Sequence, residues 1–141
     1  MTINVKWISA ALVTVSFLFY SFVGKDTPTE GLTIGDKAPA FKICGEKQLI
    51  DLKDLKGKYV LLSFWASYDA SSRKQNASLG HATSKMNNIE MVSVSFDEYK
   101  SIFHETIKKD RITTTNCFVE LEGENSELYQ TYRLHKGFKN Y

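Results

Sequence analysis

The residues of this chain best placed to do chemistry are Asp69, Ser71 and Ser72 in one short run, and two isolated thiols, Cys44 and Cys117. A carboxylate beside hydroxyls can hydrolyse only with a base to take the proton. No histidine or second acid lies near Asp69 in the sequence, so Asp69 reads as structural, and hydrolysis through Ser71 or Ser72 with a distant histidine is the weakest reading. The thiols need a lowered pKa to become nucleophiles, and neither falls at an expected helix N-terminus. They form no Cys-x-x-Cys pair, so zinc, haem and dithiol motifs are absent and no metal or cofactor is expected. A disulfide between them stays open, but two lone cysteines in an exported chain more often behave as small buried hydrophobes. His81 falls within a helical stretch and receives no role.

The elements that must position these residues start with Tyr59 to Trp65. This run is apolar on both alternating faces except at Ser63, as a central parallel strand covered on two sides reads. Ser72 followed by Gln75 is a capping-box pattern that predicts a helix from Ser72 or just before it. The turn between them faces a helix N-terminus, where the fixed anion of Asp69 is a favourable partner for unpaired N–H groups. Ala77, Leu79, Ala82 and Met86 give that helix a thin apolar stripe, which Gly80 weakens. Ile89 to Phe96 alternates as a second strand, completing a βαβ unit with a right-handed crossover. Asp97 is expected to cap the best amphipathic helix, with Tyr99, Ile102, Phe103, Thr106 and Ile107 inward and Lys100, His104 and Lys108 outward.

Upstream, Phe41–Cys44 and Gln48–Leu52 can form a hairpin around Gly45, and Gly57 is a plausible turn residue. Downstream, Cys117 to Glu120 reads as a short edge strand and Glu122 to Asn125 as a turn. A last helix begins near Ser126, with Leu128, Tyr129 and Tyr132 inward.

Two motifs carry a family resemblance. Phe64-Trp65-Ala66-Ser67-Tyr68-Asp69-Ala70-Ser71-Ser72-Arg73 resembles the active-site segment Phe-Trp-Ala-Ser-Trp-Cys-x-x-Cys-Arg of the thioredoxin-like (TlpA-like) envelope oxidoreductases. Ile34-Gly35-Asp36-Lys37-Ala38-Pro39-Ala40-Phe41 resembles the Gly-Asp-x-Ala-Pro-x-Phe entry of that family and of the alkyl hydroperoxide reductase and thiol-specific antioxidant class. The resemblance implies an α/β, thioredoxin-like (peroxiredoxin/TlpA-type) three-layer fold with a central mixed sheet. It also shows what is replaced: the nucleophilic cysteine falls on Asp69 and the resolving cysteine on Ser72. Gln75 and Ala77 stand where relatives carry Glu and Pro. Lys139 occupies the cis-proline position, and because a non-proline cis bond costs roughly 3 kcal/mol, a trans peptide is expected there.

Carboxylate and hydroxyl cannot exchange disulfides. The resemblance therefore implies a scaffold that has lost dithiol chemistry, with Trp65, Tyr68, Asp69, Ala70, Ser71, Phe138 and Lys139 left as a shallow groove for an extended peptide or an envelope protein. The rival is an oxidoreductase or peroxidase working through Cys44, Cys117 or both. The resemblance covers residues 31–141 and stops in mid-pattern, so the domain is expected to be C-terminally incomplete, with one edge of Tyr59–Trp65 unpaired.

The chain of 141 residues is 43% hydrophobic and 24% charged, which fits one globular domain. Its formal charge of +2, with scattered lysines, argues against a nucleic-acid surface. Residues 7–24 carry no charge and would span about 27 Å as a helix, nearly a bilayer's hydrocarbon thickness. Residues 1–24 are read as an uncleaved signal-anchor, with a signal peptide as the alternative, and residues 25–30 as a linker. The domain is accordingly expected on the extracytoplasmic side, anchored to the membrane or else released to the periplasm.

Overall fold

The structure, a computed structural model, describes residues 28–45 and 48–141. The expected anchor and the start of the linker lie outside the described residues. The chain forms two compact units that divide between Lys37 and Ala38. Within the described part of the first, the backbone doubles back between Thr29 and Lys37: Lys37 N–H donates to Thr29 O at 2.9 Å, and Gly31 N–H to Lys37 O at 3.0 Å. The Asp36 carboxylate holds this turn by accepting from Thr33 N–H and the Thr29 hydroxyl.

The second unit contains two sheets. β1 (Lys42–Cys44) and β2 (Leu49–Asp51) form an antiparallel hairpin. A 3-10 turn, Leu52–Leu55, and Gly57 at φ +88° then deliver the chain to β3 (Tyr59–Trp65), the positive φ being one that glycine adopts without strain. β3 pairs in parallel with β4 (Ile89–Ser95), and β4 in parallel with β5 (Asn116–Val119), giving the order β3-β4-β5. α1 (Ala70–Thr83) crosses from β3 to β4, α2 (Lys100–Asp110) from β4 to β5, and the short α3 (Glu127–Thr131) follows β5.

β4 is the middle strand of this sheet and β3 lies at its edge, yet β3 is buried from Leu62 to Trp65. The face presented by Leu62, Phe64, Val92, Val94 and Phe118 is buried, and Tyr132 packs on Phe64 at 5.0 Å between ring centroids. Tyr132 is itself fully buried and satisfies its hydroxyl on Pro39 O at 2.8 Å. The opposite face carries Trp65, Ser93 and Met91 against α1 and α2, with the Trp65 ring 6.1 Å from Phe103.

Three sequence expectations change here. α1 begins at Ala70, just before Ser72 as expected, but its N-cap is Asp69 and not Ser72. Its packed face is not the Ala77-Leu79-Ala82-Met86 stripe but Ser72, Asn76 and Gly80, which lie one above another at i, i+4 and i+8. A small polar face lets the helix sit close to the segment that leads into β5: a Cβ at Gly80 would lie 2.7 Å from Thr114 Oγ1. The free edge of β3 is partly covered, since Leu62 N–H donates to Tyr141 O at 2.8 Å, Tyr141 N–H to Leu62 O at 2.9 Å, and Phe64 N–H to Lys139 O at 3.2 Å. With Ser63 opposite Asn140 in antiparallel register, the arrangement at β3 is mixed.

Candidate functional site

β3 ends at Trp65, and the four residues that follow form a tight turn in which Asp69 N–H donates to Ala66 O at 3.1 Å. Asp69 then starts α1. Its Oδ1 accepts from Ser71 N–H at 3.0 Å and from Ser72 N–H at 3.3 Å, so the carboxylate satisfies two of the donors a helix start leaves unpaired. The Ser72 hydroxyl is buried, donates to Asp69 O at 3.2 Å and accepts from Ala66 N–H at 3.5 Å. Arg73 braces the same turn, donating from Nη1 to Ser67 O at 3.4 Å and from Nη2 to Asp110 Oδ1 at 3.0 Å.

Beneath the turn lies a buried carboxylate that the sequence placed elsewhere. Asp97 does not cap α2, whose N-cap is Tyr99 without a side-chain hydrogen bond. Instead Asp97 Oδ1 accepts from Ser67 N–H at 2.8 Å and Oδ2 from the Ser95 hydroxyl at 2.6 Å. A buried carboxylate needs hydrogen-bond donors around it, and Ser67 N–H and the Ser95 hydroxyl supply them. The Ser95-x-Asp97 spacing was the available signal.

A second buried network runs under β3. Trp65 Nε1–H donates to Ser93 Oγ at 2.9 Å, and the Ser93 hydroxyl donates to Asn76 Oδ1 at 2.8 Å. Trp65 is therefore fully enclosed and offers no surface to a ligand, unlike the other expected groove residues. Tyr68 is 73% exposed. Its ring lies 6.3 Å from Phe138, and Phe138 stacks on Phe96 at 5.9 Å with planes 19° apart. Ala70 and Ser71 are exposed beside it, as is Lys139, whose carbonyl is tied to β3. No cis peptide occurs among the described residues.

The thiols stand apart from this turn. Cys44 is exposed at the end of β1, Cys117 is largely enclosed in β5, and both are free. Burial pushes the Cys117 thiol up to about 11, against the opposing effect of its contacts with Ser93 Oγ and the Phe118 backbone. The two cysteines border one pocket of about 550 Å³ together with Gln48, Lys100, His104 and Asn116. No group of three side chains able to hold a metal occurs among the described residues, and none of their helices is long and apolar enough to cross a membrane.

The profile of the AhpC/TSA family matches residues 34–139. Among solved structures, a thioredoxin-like protein from Parabacteroides distasonis ATCC 8503 is 43% identical, with 82% of each chain covered and a TM-score of 0.71. A thiol-disulfide oxidoreductase from Bacteroides fragilis NCTC 9343 is 28% identical over 73% of this chain and 79% of its own, with a TM-score of 0.63. A thiol:disulfide interchange protein from Bacteroides sp. shares the fold at 24% identity and a TM-score of 0.55, over 68% of this chain and 64% of that one. No curated protein matches. A strand-turn-helix with the thioredoxin arrangement, the matched profile and these neighbours together mean that the chain belongs to the AhpC/TSA family, with the thioredoxin-like fold of the thiol-disulfide oxidoreductases.

Proposed function

We propose that this chain is a family member without dithiol exchange, keeping the fold as a non-catalytic binding or scaffold module. The observation that carries this reading is the use of Asp69: its carboxylate is committed to the first turn of α1, where a reactive thiolate would need to stand. Ser72 is equally committed. The surface from Tyr68 to Ser71, facing Phe138 to Asn140, would hold an extended peptide or an envelope protein without reacting with it. Residues 1–24 would hold the domain at the extracytoplasmic face of the membrane, which protease protection in spheroplasts and inverted vesicles tests directly.

The competing reading, oxidoreductase or peroxidase chemistry through Cys44 and Cys117, has less support. Cys117 keeps its proton under physiological conditions, and the two thiols are unbonded. Insulin-disulfide reduction and peroxide consumption, measured for the chain and for a Cys44→Ser, Cys117→Ser double variant, decide between the two. Turnover that disappears in the double variant would overturn the non-catalytic reading. The converse experiment installs Asp69→Cys with Ser72→Cys, and recovered reductase activity is the expected result.

A further inference from the structure

β5 pairs with β4 on one side only, and its other side borders the cavity of about 550 Å³ that the two thiols share. The register fixes what that side offers. Val119 stands opposite Ser95, and Glu120 N–H donates to Ser95 O at 2.8 Å, so residues 116, 118 and 120 turn their backbone groups toward β4. By alternation Cys117 and Val119 turn both N–H and C=O away from β4. Among the described residues, no backbone group outside the sheet bonds to either.

The cavity runs along this edge, since all of residues 115–119 line it. Two walls flank the strand, one on each face of the sheet. On the face that carries Cys117, α2 contributes Lys100, Phe103 and His104. On the face that carries Asn116 and Phe118, the turn between β1 and β2 contributes Gly45 and Gln48. That turn is set tightly: Gln48 Nε2 donates to Asn116 Oδ1 at 2.8 Å, and a Cβ at Gly45 would lie 2.8 Å from the Phe118 ring.

A row of outward N–H and C=O groups at the base of a walled slot matches one ligand class, an extended polypeptide, whose main chain supplies the complementary row. A second copy of the chain fits less well, because its β5 lies between the same two walls and the walls would meet before the strands did. Charge narrows the ligand further. Lys100 and His104 are the basic groups among the described lining residues and none of those residues is acidic, so a basic peptide would meet like charge.

We infer that the free edge of β5 takes an extended peptide as an added strand, with apolar side chains at alternate positions against the Phe103 wall and no basic side chain. This site goes beyond the Tyr68 groove: it lies at the opposite edge of the sheet from β3 and does not depend on how Asp69 is used. Main-chain bonds to Cys117 and Val119 would supply affinity, and the walls would select side chains.

The test uses the full chain in a zwitterionic detergent and a fluorescein-labelled heptapeptide of alternating Ser and Val, read by fluorescence anisotropy. Two further versions carry N-methyl groups, one on the Val nitrogens and one on the Ser nitrogens. In an added strand only one of these sets faces β5, so one version should lose about tenfold in affinity, on the scale of two main-chain hydrogen bonds, while the other stays within about threefold. Val119→Pro removes one outward donor and keeps the bonds to β4, a place where an edge strand accepts proline, and should weaken the parent peptide about fivefold. Thermal melting checks that this variant stays folded, and the methylated peptides decide the matter without any change to the protein. Lys in place of Ser should weaken binding about threefold at low salt.

Equal loss, or no loss, in the two methylated versions would overturn strand addition, as would binding of none of the peptides or binding that ignores Val119→Pro in the folded variant. Tighter binding of the Lys version would overturn the charge preference. Self-association of the unliganded chain that Val119→Pro abolishes would give the edge to a second copy and overturn the peptide reading.

Discussion

Replacing Asp69 with alanine removes the acceptor for two backbone N–H groups, one at 3.0 Å and a weaker one at 3.3 Å. An N-cap aspartate changed to alanine costs about 1 kcal/mol, within a range of roughly 0.5–2. The lost charge at the positive end of α1 adds about 0.3–1 kcal/mol. Asp69→Ala should therefore cost about 1.5 kcal/mol, which for a domain of about a hundred residues lowers Tm by about 6 °C. Asp69→Asn keeps an acceptor and loses only the charge, so its cost should be about 0.5 kcal/mol and should shrink in high salt. Urea denaturation followed by far-UV circular dichroism measures both. The reasoning fails if Asp69→Ala falls within about 0.3 kcal/mol of the unchanged protein, below the smallest cap loss expected. The carboxylate would then not be consumed by the helix start and would stand free for catalysis.

Ser93→Ala leaves Trp65 Nε1 and Asn76 Oδ1 buried without a partner and should cost about 2–4 kcal/mol, read as a lower urea midpoint; a loss under about 0.5 kcal/mol refutes the network. Cys117 makes a pH prediction whose sign follows from its raised value. The folded state keeps a proton that the unfolded chain releases from 9.0 upward, so this contribution is intact below pH 9 and is lost as pH rises to about 11. Relative to Cys117→Ala, the chain should lose about 2–3 kcal/mol across that window, and parallel curves would contradict it. Gly80→Ala, which on an open helix surface gains up to about 1 kcal/mol, should here lower Tm because the new methyl meets Thr114 Oγ1; a rise in Tm is the contrary result.

What was legible in the sequence followed from repetition along a short stretch. β3 reads correctly from Tyr59 to Trp65 because two-sided burial leaves no polar alternation, and Ser126 caps α3 as read, its hydroxyl accepting from Tyr129 N–H at 3.1 Å. α1 was harder because its contact with the sheet is made by Ser72, Asn76 and Gly80, residues that apolar periodicity does not register. Asp97 lies two residues before the N-cap of α2, Tyr99, and its carboxylate is drawn to Ser67 and Ser95, a choice that depends on the packed turn. Asp69 was read as the anion at a helix N-terminus, and its carboxylate accepts there from Ser71 and Ser72 N–H.

The three backbone bonds between residues 139–141 and β3 also give the molecule a direction of weakness. Tension applied at Tyr141 loads them one after another along the edge, like a zip, together with the Tyr141 ring contacts on Phe64 and Tyr132. Phe138 would leave Tyr68 and Phe96 before the interior gave way, so an optical trap with its handle at Tyr141 should record a small early extension ahead of the main rupture. A single rupture would mean that the aromatic clasp and the sheet yield together.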